Sequence, residues 1–489
     1  MAFKYIKLKD NPDYILMSNQ LFEELYKKQI YSKYGDLRNE KIDSILFNDS
    51  ILPNEYDQII DQYRINLHHL DIITIDPEGC EDADDAFSLY EDDNKLFLVI
   101  HIADPTYYIN NNSELWYNIL NRGISHYPSN NKPIHMMPYD IIKRASLMVS
   151  DNIKEETKKA ISITFEIDTK TFLPTKNIRL DFTEIIVRDT GKLTYYQAGN
   201  LLKTNNILEV CSKISNNVKK ERSKKTIGTK LSEIDIMIPS FENGNIKLVE
   251  NNKNEKLMKE MIGEFAILTN SFIGEYIKKN INGLGIFRTC QASFSTDIEQ
   301  HISGEEILNR IINEGIKAEY SSNESSHDLV GMPIYCHFTS PMRRVSDCIC
   351  HFLIKAYITN KNYQWTSEEL KHISQSCYHI TKKEKSIQYN DQKFRIFQLL
   401  HNLIEHNIIQ IKFRIIGYSG LFLNCSINRI IINNKSYMVQ LSYTLRKRNL
   451  KYETNIDDHT LIITKINPLE EYDEGKLIEL DEYVYNLFS

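Results

Sequence analysis

No apolar run in the chain approaches the roughly 20 residues that span a bilayer, so no membrane partner is expected. The start, Met1 to Lys7, has neither a secretory apolar core nor the Arg-rich character of a transit segment. There is no CxxC pair among the eight cysteines. Cys348 and Cys350 are one residue apart in an expected helix, where such neighbours diverge, which argues against a disulfide or a zinc site. Free thiols imply a reducing compartment, and a cytoplasmic location is expected. Positive charge is not in excess: 59 Lys and Arg stand against 66 Asp and Glu, a net charge of −7. That argues against loose, nonspecific duplex binding. It does not exclude nucleic acid, because only the binding channel must be positive. No internal repeat is present. The 489 residues suffice for one large core and one or two smaller domains, and 29 tyrosines point to a well-packed globule.

One stretch stands out against this background. Asp76, Asp82, Asp84 and Asp85 fall within ten residues, directly after the apolar run Ile72-Ile73-Thr74-Ile75. Carboxylates this close repel one another and resist burial unless they share a cation. Hard oxygen ligands suit Mg²⁺ or Mn²⁺, which points to metal-assisted phosphodiester chemistry. Acidic clusters after strands are most often solvated loops. A calcium-binding EF-hand loop is ruled out, because its sixth and twelfth positions would be Glu81 and Phe87. The flanks argue against the solvated loop. Ile72–Ile75, Ala86–Tyr90 and Leu96–Ile102 read as buried strands, with a turn over residues 91–94. Asp104, after the third strand, is expected to support the same site.

A second constellation lies downstream. His337, Thr339, Ser340, Arg343, Arg344, Asp347 and His351 are packed between Tyr335 and His351. Thr339-Ser340-Pro341 reads as a helix start, with Met342, Val345, Ile349 and Phe352 on one stripe. Arg343 in that first turn would give a guanidinium beside a helix N-terminus, an arrangement suited to phosphate. Read alone, the same segment is equally an ordinary amphipathic helix with surface arginines.

Together the two segments resemble the RNB exoribonucleases, the ribonuclease II and R class. The resemblance rests on I-D-x5-D-x-D-D-A, then I-A-D-P-T, then H-F-T-S-P-x-R-R-x-x-D. It departs at Val345, where the family usually has Tyr, and at Phe352. It continues through His126-Tyr127-Pro128, residues 133–138, Gly191 to Tyr195 and Met261 to Asn270, and covers roughly residues 65–400. It implies an α+β fold: an RNB-type catalytic domain with a mixed sheet and packed helices, plus a small C-terminal β-rich, degenerate OB-like domain. It implies Mg²⁺ or Mn²⁺ bound by Asp76, Asp82, Asp84 and Asp85. Asp76 and Asp85 would be direct ligands, and Asp84 the most sensitive position. Arg343 would be catalytic. Tyr127, Tyr195, Glu264 and Arg344 would contact RNA, with Tyr127 and Glu264 near the 3′-terminal nucleotide.

Three regions are expected: 1–65, 66–400 and 405–489. The first is too short for the two cold-shock barrels that precede the catalytic domain in the family. It could hold one reduced barrel or a helical lead-in such as Leu21–Lys28, and a protein partner could supply the RNA-entrance domains. In the middle, Lys159–Ile167 and Ile178–Val187 read as paired strands and Leu257–Ile277 as a buried helix. Residues 367–401 read as one or two polar helices. The run Lys219, Lys220, Arg222, Lys224, Lys225 and Lys230 usually marks a solvated helix face. Near the end, 408–418, 421–424, 427–432 and 436–441 read as strands, with a turn at Asn433-Asn434.

Three functions fit. The first is a Mg²⁺-dependent 3′→5′ hydrolytic exoribonuclease that degrades single-stranded RNA to nucleoside 5′-monophosphates. The second is a noncatalytic RNA-binding module of the same fold. The third is a metal-dependent hydrolase of short oligonucleotides.

Overall fold

The computed structural model describes residues 53–446 apart from 129–132, 151, 235, 243–244, 250–251, 282, 293–301, 405 and 420–421; beyond these it describes 459–465 and 479–480. The expected lead-in over residues 1–52 and the acidic end therefore lie outside the described residues. A short helix, α1 (Asp57–Ile60), precedes a five-stranded mixed sheet. Its strands are β1 (Ile65–Asn66), β3 (Asp85–Asp92), β4 (Lys95–Ala103), β5 (Glu155–Ile167) and β6 (Pro174–Arg188), in the order β1-β6-β5-β4-β3. Only β1 pairs parallel. The β3–β4 hairpin turns through Asp93 and Asn94 with φ of 47° and 59°, a left-handed pair that these short polar residues tolerate.

A separate parallel pair, β2 (Thr74–Asp76) with β7 (Lys192–Thr194), sits beside the sheet. Gly191 makes that pairing feasible, since a Cβ there would lie 2.1 Å from the Ile72 carbonyl oxygen. Ile73 also bridges Phe87 antiparallel. Counting outward from that bridge, the end of β2 faces the start of β3. Two strands thereby bring Asp76 opposite Asp84 and Asp85 while the loop between them bulges out.

Helices cover the sheet. They are α2 (Glu114–Arg122), α3 (Tyr139–Ala145), α4 (Tyr195–Leu201), α5 (Asn206–Ser223) and the long α6 (Lys253–Asn280). A small hairpin, β8 (Ile238–Glu242) and β9 (Asn245–Val249), precedes α6. The pair β10 (Phe287–Thr289) and β11 (Glu319–Ser321) flanks α7 (Gly304–Asn313) in sequence. Helix α8 (Val345–Ile358) is buried along nearly its whole length, and α9 (Ser367–Leu403) is one continuous helix. Hydrophobic side chains form one large cluster around the mixed sheet, α6 and α8.

A second cluster joins the end of α9 to a C-terminal antiparallel sheet of β12 (Ile409–Ser419), β13 (Phe422–Ile432) and β14 (Lys435–Arg446). The strand β15 (His459–Lys465) lies on the other edge of β12. The two short strands expected over 421–424 and 427–432 are one strand. A register shift between Ile427 and Arg429 interrupts the alternation that made them look separate. The Asn433-Asn434 turn is present with φ of 47° and 68°. Among the described residues, no helix is long and apolar enough to cross a membrane. All eight cysteines are free thiols.

Candidate active site

The acidic loop is held by its backbone. Ala83 N–H donates to Ser146 Oγ and its carbonyl accepts from Leu147 N, while the Asp84 carbonyl accepts from Ala103 N. The four aspartates then differ sharply. Asp84 is engaged on both oxygens: Met342 N–H donates to Oδ1 at 2.9 Å and Arg343 Nε to Oδ2 at 3.1 Å. Asp82 accepts from Tyr127 Oη at 2.5 Å, with the Cys80 thiol 3.6 Å away. Asp76 has the Cys80 thiol at 3.7 Å from Oδ1, and its buried Oδ2 has no partner. Asp85 makes no side-chain hydrogen bond or ion pair among the described residues. Burial, then the charge of Asp85, pushes Asp76 up to about 7. Burial pushes Asp84 up to about 8, against the pull of Arg343, and Asp85 up to about 6.

The helix expected from Thr339 begins instead at Val345, so Arg343 lies in the turn before it. The reason is that the local amides have other partners. Met342 N–H serves Asp84, Ser340 N–H serves Asp347 at 2.8 Å, and the Phe338 and Thr339 amides both donate to Asn270 Oδ1 on α6. Ile124 bridges Arg344 on the opposite side. Arg343 is thus placed by an ion pair and by a bond from Nη2 to Ser340 Oγ, with its side chain 47% exposed. Arg344 is committed to Asp347 through two bonds of 2.8 and 3.0 Å.

A cavity of about 620 Å³ joins these groups. Asp76, Asp82, Asp84 and Asp85 line it together with Tyr127, Tyr195, Arg343 and Arg344. Of the expected site residues, Glu264 and Asp104 are absent from its wall. Glu264 is 5% exposed and grips Arg222 of α5 through both carboxylate oxygens, beside a neighbouring cavity of about 360 Å³. Arg222, expected on a solvated face, is therefore an interior residue. Asp104 also departs from expectation. It is wholly buried among Arg64 and Lys355, away from the acidic cavity, with Lys355 Nζ at 2.8 Å.

His135 is a neighbour that spacing did not single out. Its buried Nδ1 has no hydrogen-bond partner and lies 3.6 Å from Asp82 Oδ2. Its position in the Pro-rich segment after Tyr127 was the available signal.

The donor set fits a hard divalent cation. Asp76 and Asp85 are two acids brought together with no direct ion pair among the described residues, and one buried oxygen of Asp76 is orphaned. Among the described residues, no group of three or more His, Cys, Asp or Glu side chains is arranged to hold a metal ion by itself. Magnesium is ordinarily held by one or two carboxylates, with waters and substrate oxygens completing its shell.

Comparison with known proteins agrees with this layout. The RNB domain matches residues 64–360. The chain is 26% identical over 393 residues to Ribonuclease R of Helicobacter pylori (strain ATCC 700392 / 26695), covering 71% of this chain and 58% of that protein. It is 28% identical over 356 residues to Exoribonuclease 2 of Photorhabdus laumondii, covering 63% and 53%. The chain thus spans only about half to three-fifths of the length of these relatives. Among solved structures, the fold is similar to Mycoplasma genitalium RNase R in complex with ribose methylated single-stranded RNA. The TM-score is 0.70 at 17% identity, covering 94% of this chain and 78% of that one. It is also similar to yeast Ssd1, a pseudonuclease, with TM-score 0.57 at 18% identity, covering 77% and 50%. With the acidic loop, the arginine turn and the fold all in agreement, the chain belongs to the RNB family.

Proposed function

We propose that this chain is a Mg²⁺-dependent 3′→5′ hydrolytic exoribonuclease that degrades single-stranded RNA to nucleoside 5′-monophosphates. The observation that carries this reading is the division of labour among the aspartates. Asp76 keeps only a thiol contact from Cys80 with its Oδ2 unpartnered, and Asp85 makes no side-chain bond among the described residues, while Asp84 spends both oxygens on the Arg343 turn.

Asp76 and Asp85 would hold the metal, with Asp82 beside them. A divalent cation bound there, Mn²⁺ serving as well as Mg²⁺, supplies an activated water and neutralises the departing 3′ oxygen. Asp84 fixes Arg343 so that its guanidinium meets charge developing on the phosphoryl oxygens. Tyr127 is anchored through its hydroxyl to Asp82, so its position is set by the acidic loop. Tyr127 and Tyr195 offer stacking surfaces, each worth about 1–3 kcal/mol per base. Arg344, neutralised by Asp347, shapes the wall and orders the turn. Selection of RNA over DNA requires contacts to the 2′-hydroxyl. Glu264, in the family position that braces the 3′-terminal nucleotide, reaches it only by exchanging its Arg222 partner. A protein partner supplying RNA-entrance domains, and a cytoplasmic location with free thiols, complete the proposal.

The test is a time course on a 5′-labelled, unstructured 30-nucleotide RNA with Mg²⁺, alongside Asp84→Asn and EDTA controls. A ladder shrinking from the 3′ end, with monophosphate released and both controls blank, supports the exonuclease. Tight binding with intact RNA favours the noncatalytic module, in keeping with the likeness to a pseudonuclease. Cleavage confined to the shortest RNAs favours the oligonucleotide hydrolase.

A further inference from the structure

One residue of the arginine-turn segment is left unused by the cleavage chemistry, yet it lines the same cavity. His337 stands on the wall of the acidic cavity with Tyr335, Thr339 and Arg343, and is half-buried. Its flanks are pinned. Arg288 N–H donates to the Tyr335 carbonyl at 2.8 Å, Phe287 bridges Cys336, and the Phe338 amide donates to Asn270 Oδ1 at 2.9 Å. The ring is gripped as well. Tyr320 and Tyr335 meet it edge to face, with ring centres 5.5 and 5.9 Å away and interplanar angles of 76° and 78°. A hydrogen bond of 2.7 Å joins its Nδ1 to Tyr320 Oη. Tyr320 is itself held by the Arg288 guanidinium, 4.5 Å from the centre of its ring.

One ring nitrogen remains. Among the described residues Nε2 has no hydrogen-bond partner, and it is open to solvent. Burial, then the charges of Arg344 and Arg288, hold the imidazole well below its ordinary value, so the ring is neutral. A neutral imidazole carries one N–H and one lone pair. Whichever way the proton lies in the Tyr320 bond, Nε2 presents the complementary role to the cavity. A hydroxyl suits either case, because it both donates and accepts and rotates to fit. A phosphate oxygen only accepts, and the wall already offers it the Arg343 guanidinium. Glu264, the other candidate for a sugar contact, is paired with Arg222 and does not line this cavity.

We infer that His337 reads a ribose 2′-hydroxyl of the strand lying in the acidic cavity, and so contributes to the choice of RNA over DNA. The inference rests on the proposed RNA substrate. Tyr320 and Tyr335 are the frame: a ring already fixed by its neighbours loses little freedom when the strand arrives. A strand that lacks the hydroxyl displaces water from Nε2 and gives back no bond. The contribution is that of one neutral hydrogen bond, so it sharpens the selection rather than making it alone.

The experiment is equilibrium binding, in EDTA, of a labelled 30-nucleotide RNA, of the matching DNA, and of RNAs with a single 2′-deoxy or 2′-fluoro sugar near the 3′ end. The fluoro sugar keeps the ribose pucker without the hydroxyl. The wild type is compared with His337→Phe, which keeps a ring between the tyrosines and removes Nε2, and with His337→Gln, whose amide still donates and accepts. The expected result is a roughly five-fold loss of affinity at one sugar position in the wild type, absent in His337→Phe and partly restored in His337→Gln. His337→Phe should weaken RNA binding by the same factor and leave DNA binding unchanged. Thermal melting guards against misfolding, and His337→Ala replaces His337→Phe if that variant unfolds. A position-specific loss of equal size in the wild type and His337→Phe overturns the inference, as does a wild type with no such position. Equal weakening of RNA and DNA by His337→Phe also overturns it, since phosphate is then the partner. Cleavage is not part of the readout. An inert wild type in Mg²⁺ that keeps the position-specific loss would sink the exonuclease reading and leave the ribose contact standing.

Discussion

Asp57 and Asp104 are buried beside Lys355, which sits at 2.5 and 2.8 Å from them, and Arg64 closes the group at 3.0 and 3.9 Å. Asp76 and Asp85 are partly buried in the same molecule with no ion pair to a described residue. In the first cluster two acids meet two bases. Burial favours protonation of both acids; Lys355 and Arg64 outweigh it at Asp104 and hold that carboxyl below its usual range, while burial still lifts Asp57 to about 6. In the second, burial and mutual repulsion win, and Asp76 rises to about 7. The first cluster finds its counter-charges within the chain, although Asp104 Oδ2 accepts no hydrogen bond, and it acts as a structural pin between the segment before the sheet and helix α8. The second has no ion-pair partner among the described residues, and Arg343 offsets its burial only in part. A buried acid therefore says little about function until its counter-charge has been found.

The comparison can be broken at either end. The largest effect is expected for Asp84→Asn, which loosens Arg343. RNA cleavage should fall at least about 100-fold, as when one stabilising donor is removed from a catalytic site, while RNA affinity is retained. Loss of both together in a gel-shift and cleavage assay would show a folding failure instead. Next is Lys355→Met in the completed cluster. It strands two buried carboxylates and should cost about 3–5 kcal/mol in urea unfolding. An effect below about 1 kcal/mol would mean that the cluster is not the pin described above.

Adding Mg²⁺ should sharpen the contrast. At one hundred times its dissociation constant it should stabilise the wild type by about 2.7 kcal/mol. The gain should vanish in Asp76→Asn and Asp85→Asn and survive in Asp104→Asn, as read by thermal melting. An equal gain in all three would remove the metal from the acidic cavity.

An effect that is small per pH unit concerns a buried group with no charged partner. His101 is held between Ser88 Oγ and Ser162 Oγ, and burial lowers it to about 3. A lowered histidine favours the folded state while neutral. The unfolded chain takes up the proton below about 6.5, so this contribution is lost as pH falls from there toward 3. The loss should be about 1.4 kcal/mol per pH unit and missing from His101→Asn. Parallel stability profiles for the two proteins between pH 4 and 6.5 would contradict it.

The parts legible in the sequence were those with local causes. The β3–β4 hairpin, the β5–β6 pair and α6 follow from alternation, turn residues and helical period within one segment. The acidic motif was readable because its spacing is short. What stayed hidden depended on distant partners. Thr339-Ser340-Pro341 resembles a helix start, but Asp84 takes the Met342 amide from 258 residues away. Asp104 follows its strand as expected, yet Lys355, 251 residues on, claims it. Arg222 looked like one charge in a solvated run until Glu264 of α6 paired with it. No local period records such choices.

The bond from Met342 to Asp84 has a consequence for the timing of synthesis. A growing chain that has released its acidic loop but not its arginine turn holds only half of the active centre. The two halves meet only after the chain has been extended 258 residues beyond Asp84. Any cleavage that needs both halves could not begin before the arginine turn has been made and has closed onto the acidic loop.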